Sequence, residues 1–135
     1  MSRITGTFAA LIVTQAAHSL EEYLGRLWES FPPARFVAGL IASDLALGFI
    51  IFNVAFVAFG AWCALVPVRR NWPSASRWIW LWVVIEALNG VGHVAWSLRR
   101  GGYTPGVLTA LILLGLAAYL AFELRRQAGV IAPRS

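Results

Sequence analysis

The chain has 135 residues, 59% of them apolar and only 13% charged, where a soluble domain of this length carries about 25% charged residues. Its mean hydropathy of +0.70 places it among integral membrane proteins, as a single domain with no length left for a separate soluble module. The net charge is +5 and all 11 basic residues are arginine; they fall between apolar runs rather than on a docking face, which argues for lipid-headgroup contact and against a nucleic-acid partner.

Four apolar runs, at approximately 4–28, 38–66, 76–98 and 104–124, each supply the roughly 20 residues needed to cross a hydrocarbon core of about 30 Å. They predict an all-α fold, an integral membrane four-helix bundle. The first run is too long for a signal peptide and is interrupted by His18, Glu21 and Glu22, so it reads as the first spanning helix. Pro32 and Pro33 separate it from the second run, which is longer than a span requires and is expected to tilt or to begin at the interface near Asp44. That run contains Cys63, the single cysteine, so neither an intrachain disulfide nor a thiolate metal cage is available. A segment from Pro67 to Pro73, with Arg69 and Arg70, leads into the third run, where Gly90 and Gly92 are expected to allow close helix approach. Arg99, Arg100, Gly101 and Gly102 break the third run from the fourth. Pro105 is expected in the first turn of the last helix, with Thr104 as its N-cap. The tail from Arg125 onward is expected to fray.

The arginines set an expected orientation. With both termini cytoplasmic, that side holds Arg3, Arg69, Arg70, Arg77, Arg125, Arg126 and Arg134, against Arg26, Arg35, Arg99 and Arg100 on the other. The expected setting is a bacterial inner (cytoplasmic) membrane, with membrane lipids around the bundle; a homo-oligomer is as compatible with the sequence as a single bundle. Spans one and three then run in the same direction, which puts His18 and His93 at a common depth, roughly 21–23 Å from the cytoplasmic end.

Ionisable groups at mid-membrane cost from about 2.5 to well over 10 kcal/mol, so those that occur face a bundle interior and carry function. His18 precedes Glu21 by three residues and Glu22 by four, which puts all three on one helix face. Glu86, Asn89 and His93 form a second stripe, extended by Trp82 and Trp96. Facing stripes of this kind are how helix bundles build internal sites. Asp44 and Asn53 point to opposite sides of span two, and Asp44 lies at the better depth, either lining the site or capping its helix. Tyr103 opens the fourth span at the same level, as a rim over the site.

The segment His18-Ser19-Leu20-Glu21-Glu22 matches the motif that names the HXXEE-domain membrane proteins. A further histidine and a YxPG motif of that family are matched by His93 and by Tyr103-Thr104-Pro105-Gly106. The chain therefore resembles this family over nearly its whole length, which implies a multi-spanning membrane protein and marks the residues that matter without naming an activity.

Three chemistries suit these residues. His18, Glu22, Glu86 and His93 would supply mixed imidazole and carboxylate ligands to zinc or non-haem iron. Alternatively, adjacent carboxylates in a low-dielectric site leave one proton shared near neutrality, and His18, Glu21, Glu22, Glu86, Asn89 and His93 would perform metal-free acid–base chemistry of an isomerase, cyclase or hydrolase type. Trp82, Trp96, Tyr103 and Asp44 would then bind a lipophilic substrate arriving from the bilayer. The non-catalytic alternative is a polar network that fixes packing, binds a ligand, or conducts protons or ions.

Overall fold

The computed structural model describes residues 3–131, and all of the regular structure among them is helical. In chain order the elements are α1 (Arg3–Leu24), α2 (Leu27–Ser30), α3 (Pro32–Ile41), α4 (Leu45–Cys63), a π-helical turn (Ala64–Val68), α5 (Ala75–Arg100) and α6 (Val107–Ile131). Arg134, one of the arginines used to orient the chain, lies outside the described residues.

Among the described residues there are six α-helices rather than four because two apolar runs are broken, the first at Arg26 and the second next to Asp44, where it was expected to begin. The first run ends as a helix at Leu24, and Arg26 turns the chain with a left-handed φ of 52°. The second run begins as α3, with Pro32 and Pro33 in its first turn, where a missing N–H costs nothing. At ten residues α3 is roughly 15 Å long, half of what a span needs. It stops at Ala42, and α4 restarts after Asp44, whose side chain accepts from the backbone N–H groups of Ala46 and Leu47. Residues 27–41 thus fold back along the first half of α4 instead of extending it, and Leu27, Trp28, Ala38 and Phe49 form a small core of their own.

Among the described residues three helical stretches are long and apolar enough to cross a membrane: Leu45–Val68, Ala75–Arg100 and Val107–Ala128. The first includes the π turn, which accommodates Pro67 inside the helix by letting the bonding pattern slip. α1 has 22 residues, enough for a span by length, but its polar residues keep it below the hydropathy of the other three.

α6 packs against both α1 and α5, and α1 also meets α4. Gly90 allows the approach of α5 to α6, since a Cβ there would lie 2.4 Å from Leu114 Cγ; Gly92 faces open space and plays no such part. The half of the bundle that holds the start of α1 is filled by apolar side chains, among them Phe8, Leu11, Trp82, Leu113 and Leu120. The end of the chain differs from expectation in two ways. α6 begins at Val107, two residues beyond Pro105, so Thr104 does not cap it; and the helix runs on to Ile131 instead of fraying from Arg125.

Candidate functional site

The other half of the bundle is polar inside. From α1, Gln15, His18, Ser19 and Glu22 are buried, and from α5, Glu86 and His93. His18 and Glu22 are one helical turn apart, and His93 reaches them from the facing helix. Glu22 Oε1 lies 3.2 Å from His18 Nε2 and 3.0 Å from His93 Nε2. The two imidazoles meet edge to face, with centroids 4.7 Å apart. One ligand atom from each of His18, Glu22 and His93 falls within 4.8 Å of the other two, and all three residues are buried. Asn89 Nδ2 approaches His18 Nε2 at 3.0 Å.

The two adjacent glutamates have separate surroundings. Glu22 turns inward to the histidines, whereas Glu21 turns to the start of α6. Glu21 Oε1 accepts from the Tyr103 hydroxyl at 3.0 Å and from Leu108 N at 3.3 Å; Oε2 accepts from Thr109 N at 3.0 Å and from Thr109 Oγ1 at 2.5 Å. The first N–H groups of a helix have no partner within it, and Glu21 supplies one from another helix, where the helix dipole also favours a negative charge. Tyr103, in the loop between α5 and α6, is pushed above the ordinary phenol range by partial burial and by the Glu21 carboxylate, which keeps it a donor.

Gly106 explains why a glycine stands at the mouth of α6. Its φ is +91°, and a Cβ there would lie 2.6 Å from His93 Cε1 and 2.9 Å from His18 Cε1. The backbone of this turn is therefore in contact with both imidazole rings, a closeness that only glycine permits. The Thr104 hydroxyl pairs with Ser97 on α5, which ties the turn to the last part of that helix.

Glu86 is fully buried but does not join the three-residue cluster. Asn89 Nδ2 is 3.5 Å from Glu86 Oε2, and the carboxamide of Gln15 stands beside both its oxygens. Asn53 Nδ2 donates to Phe49 O at 3.1 Å, which leaves Asn53 Oδ1 to accept from Ser19 Oγ at 2.7 Å. Ser19 Oγ in turn lies 3.2 Å from Gln15. If the Gln15 nitrogen donates to Ser19, its oxygen faces Glu86 and the contact is favourable only when Glu86 holds a proton. Turned over, the nitrogen donates to both Glu86 oxygens at 3.1 Å, which suits a carboxylate.

Beside the histidines lies a chamber of about 320 Å³, walled by Phe31, Val37, Phe49, Phe52, Phe56 and Ile85. Such a volume falls within the ordinary range for small-molecule sites. None of Asp44, Trp82, Trp96 and Tyr103, the residues expected to bind a substrate, lines this chamber. Trp82 is buried against Phe56 and Phe59 in the apolar half, and Trp96 meets Phe31 at a tilt, with Arg100 over its ring. Tyr103 holds Glu21, and Asp44 is the exposed N-cap of α4. On α4 it is Asn53, not Asp44, that faces the site.

Three participants escaped the sequence reading. Gln15 stands three residues before His18 and could have been found as an extension of its stripe. Thr109 and Phe31 carry no pattern; Thr109, 2.8 Å from His18 Nδ1, is a lone hydroxyl in an apolar run.

No curated protein and no solved structure matches the chain. Residues 9–121 match the family described as protein of unknown function with HXXEE motif, and they include His18, Glu22, His93 and the turn that seats them. With most of its length inside that match, the chain belongs to the HXXEE family.

Proposed function

We propose that this protein is a membrane-embedded, metal-dependent enzyme. His18, Glu22 and His93 hold one zinc or non-haem iron ion, and the chamber beside them receives a lipophilic small molecule from the bilayer. The observation that carries this reading is the convergence of three buried ligand atoms from two helices. Donors bound at about 2.0–2.1 Å in a tetrahedral zinc site stand roughly 3.3 Å apart. The two separations from Glu22 Oε1, 3.0 and 3.2 Å, are close to that spacing before any ion enters. Two imidazoles and one carboxylate are also the donor set of catalytic zinc and of non-haem iron sites, in which positions left open to water or substrate carry the chemistry. A bound ion would act there as a Lewis acid toward a polar group of the substrate or a water.

The same reading includes four spans with α1 as the fourth. Its polar side chains turn inward, while Val13, Leu20 and Leu24 are well exposed and suited to lipid. The arginine distribution supports cytoplasmic termini in a bacterial inner membrane. In a Cys63→Ser background, a cysteine at position 100 is expected to react with an impermeant label applied to intact cells and one at position 70 to be protected; the reverse pattern would overturn the orientation.

A second reading keeps the site and drops the metal. Glu22 Oε1 is within hydrogen-bond reach of both imidazoles, so the three residues already form a His–Glu–His relay able to take and return a proton. Elemental analysis of detergent-purified protein separates the two. The metal reading expects near-stoichiometric zinc or iron that is lost in His18→Ala and His93→Ala. Metal-free protein that cannot be loaded with zinc or iron would leave the relay.

A further inference from the structure

We infer that Glu21 and Thr109 are positioning residues that lock neutral His18 in the tautomer with its proton on Nδ1, so that its Nε2 lone pair faces Glu22 and His93. The inference deepens the metal reading above, but it rests on a separate set of contacts and can fail separately.

The tautomer follows from the protons available around Thr109. Thr109 Oγ1 has a single proton and three polar neighbours: Glu21 Oε2 at 2.5 Å, His18 Nδ1 at 2.8 Å and Gly106 O at 3.3 Å. Glu21 accepts four bonds in all, two at each oxygen, which accounts for the roughly four lone-pair sites of a carboxylate. Two of its donors are backbone N–H groups and cannot reverse, so Glu21 is an acceptor, and the shortest of its contacts takes the Thr109 proton. Thr109 Oγ1 then has only lone pairs left for His18. The contact at Nδ1 is made when that nitrogen carries the hydrogen and donates it.

Two consequences follow for the motif. Glu21 has no lone pair left for a metal and is not a ligand, although it adjoins Glu22 in sequence. His18 Nε2 is left with its lone pair directed at the cluster, where Asn89 Nδ2 can donate to it in the metal-free protein; Glu22 Oε1, 3.2 Å away, then accepts from His93 Nε2 and not from His18, and an ion between the three can replace the Asn89 donor. A metal-bound histidine whose other ring nitrogen donates to a fixed acceptor is held in orientation and made more basic, and loss of such a partner costs about 10- to 100-fold in metal affinity. His93 differs: its Nδ1 has no hydrogen-bond partner among the described residues, and its ring is held by packing against Gly106 and Phe31. The first glutamate of the motif, the tyrosine and the turn before α6 thus form one device whose output is the orientation of a single imidazole.

Nitrogen-15 spectra of histidine-labelled, metal-free protein, taken at a pH where the ring is neutral, test the inference directly. His18 is expected as the Nδ1–H tautomer in the wild type and in Thr109→Ser, and as a tautomer mixture in Thr109→Val. In zinc competition against a chelator, Thr109→Val should bind 10- to 100-fold more weakly than wild type and Thr109→Ser within about threefold of it. A neutral His18 found as the Nε2–H form in the wild type would overturn the inference whether or not the protein binds metal. So would wild-type zinc affinity in Thr109→Val alongside its loss in His18→Ala. If Thr109→Val does not fold, the wild-type and Thr109→Ser spectra still decide. If no zinc binds to any form, the metal reading fails and the spectra alone judge the tautomer.

Discussion

The two halves of the bundle are equally buried and are held in opposite ways. Phe8, Leu11, Leu113 and Leu120 have no accessible surface, and neither have His18 and Glu86. In a bilayer the apolar half gains little from leaving its surroundings, because lipid tails are as apolar as leucine; it is stabilised by close packing. The polar half has the reverse arithmetic. Each buried donor or acceptor left alone costs about 1–3 kcal/mol, so that half depends on pairing its polar atoms, with His93 Nδ1 the exception inside the site. Ser19 with Asn53, Glu21 with the start of α6, and Glu22 with His93 make those pairs. Burial alone therefore does not distinguish core from site in this molecule; the identity of the partners does.

That contrast can be broken from either side. The largest loss of stability is expected in the apolar half. Phe8→Ala should cost about 3 kcal/mol, near the low end of the range for soluble cores because the reference is lipid rather than water. Unfolding in a mixed detergent series would measure it, with metal content of the folded fraction unchanged. A parallel loss of metal would mean that the two halves are not independent.

An intermediate effect is expected at Gly106, which belongs to both concerns. Gly106→Ala meets a left-handed backbone cost of about 1–2 kcal/mol and a collision with the two imidazole rings. Melting should fall by several degrees and zinc affinity should drop with it. A variant that melts lower yet binds zinc as the wild type does would show that the turn supports the fold without shaping the site.

The smallest effect on stability is expected where the effect on function is greatest. Glu22→Gln keeps the volume and removes a buried charge, a change that is often close to neutral for folding. It should melt within a few degrees of the wild type while zinc binding collapses. Glu21→Gln is expected to behave differently, since Glu21 accepts four hydrogen bonds and holds the first turn of α6. Charge-assisted bonds are stronger than neutral ones and glutamine keeps only one acceptor oxygen, so this neighbour should be the clearly destabilised one of the pair, by less than Phe8→Ala. Equal melting points for the two variants would remove the division of labour between them.

Much of this was legible in the chain. His18 and Glu22 at a four-residue spacing, and His93 at a matching depth on a helix of the same direction, follow from helix geometry once the spans are marked. The fold-back of residues 27–41 was not legible, because an apolar run reads alike whether it continues as one helix or turns at Arg26 and packs on its neighbour. Hydropathy reports the solvent, not the direction of the chain. Thr109 was hidden for a different reason. Its role depends on a contact with His18 across 91 residues of sequence, and a lone hydroxyl in an apolar helix more often bonds its own backbone. Of the two readings that depth left open for Asp44, the structure has the cap, and on α4 it is Asn53 that faces the chamber.

The central claim is that one metal ion is held by two imidazoles and one carboxylate inside the bundle. X-ray absorption at the zinc edge, on detergent-purified protein loaded with one equivalent, tests it most directly. The account predicts a four-coordinate first shell of nitrogen and oxygen donors with the multiple-scattering pattern of two imidazoles, reduced to one in His93→Gln. A spectrum without imidazole scattering, or one unchanged in that variant, would contradict it.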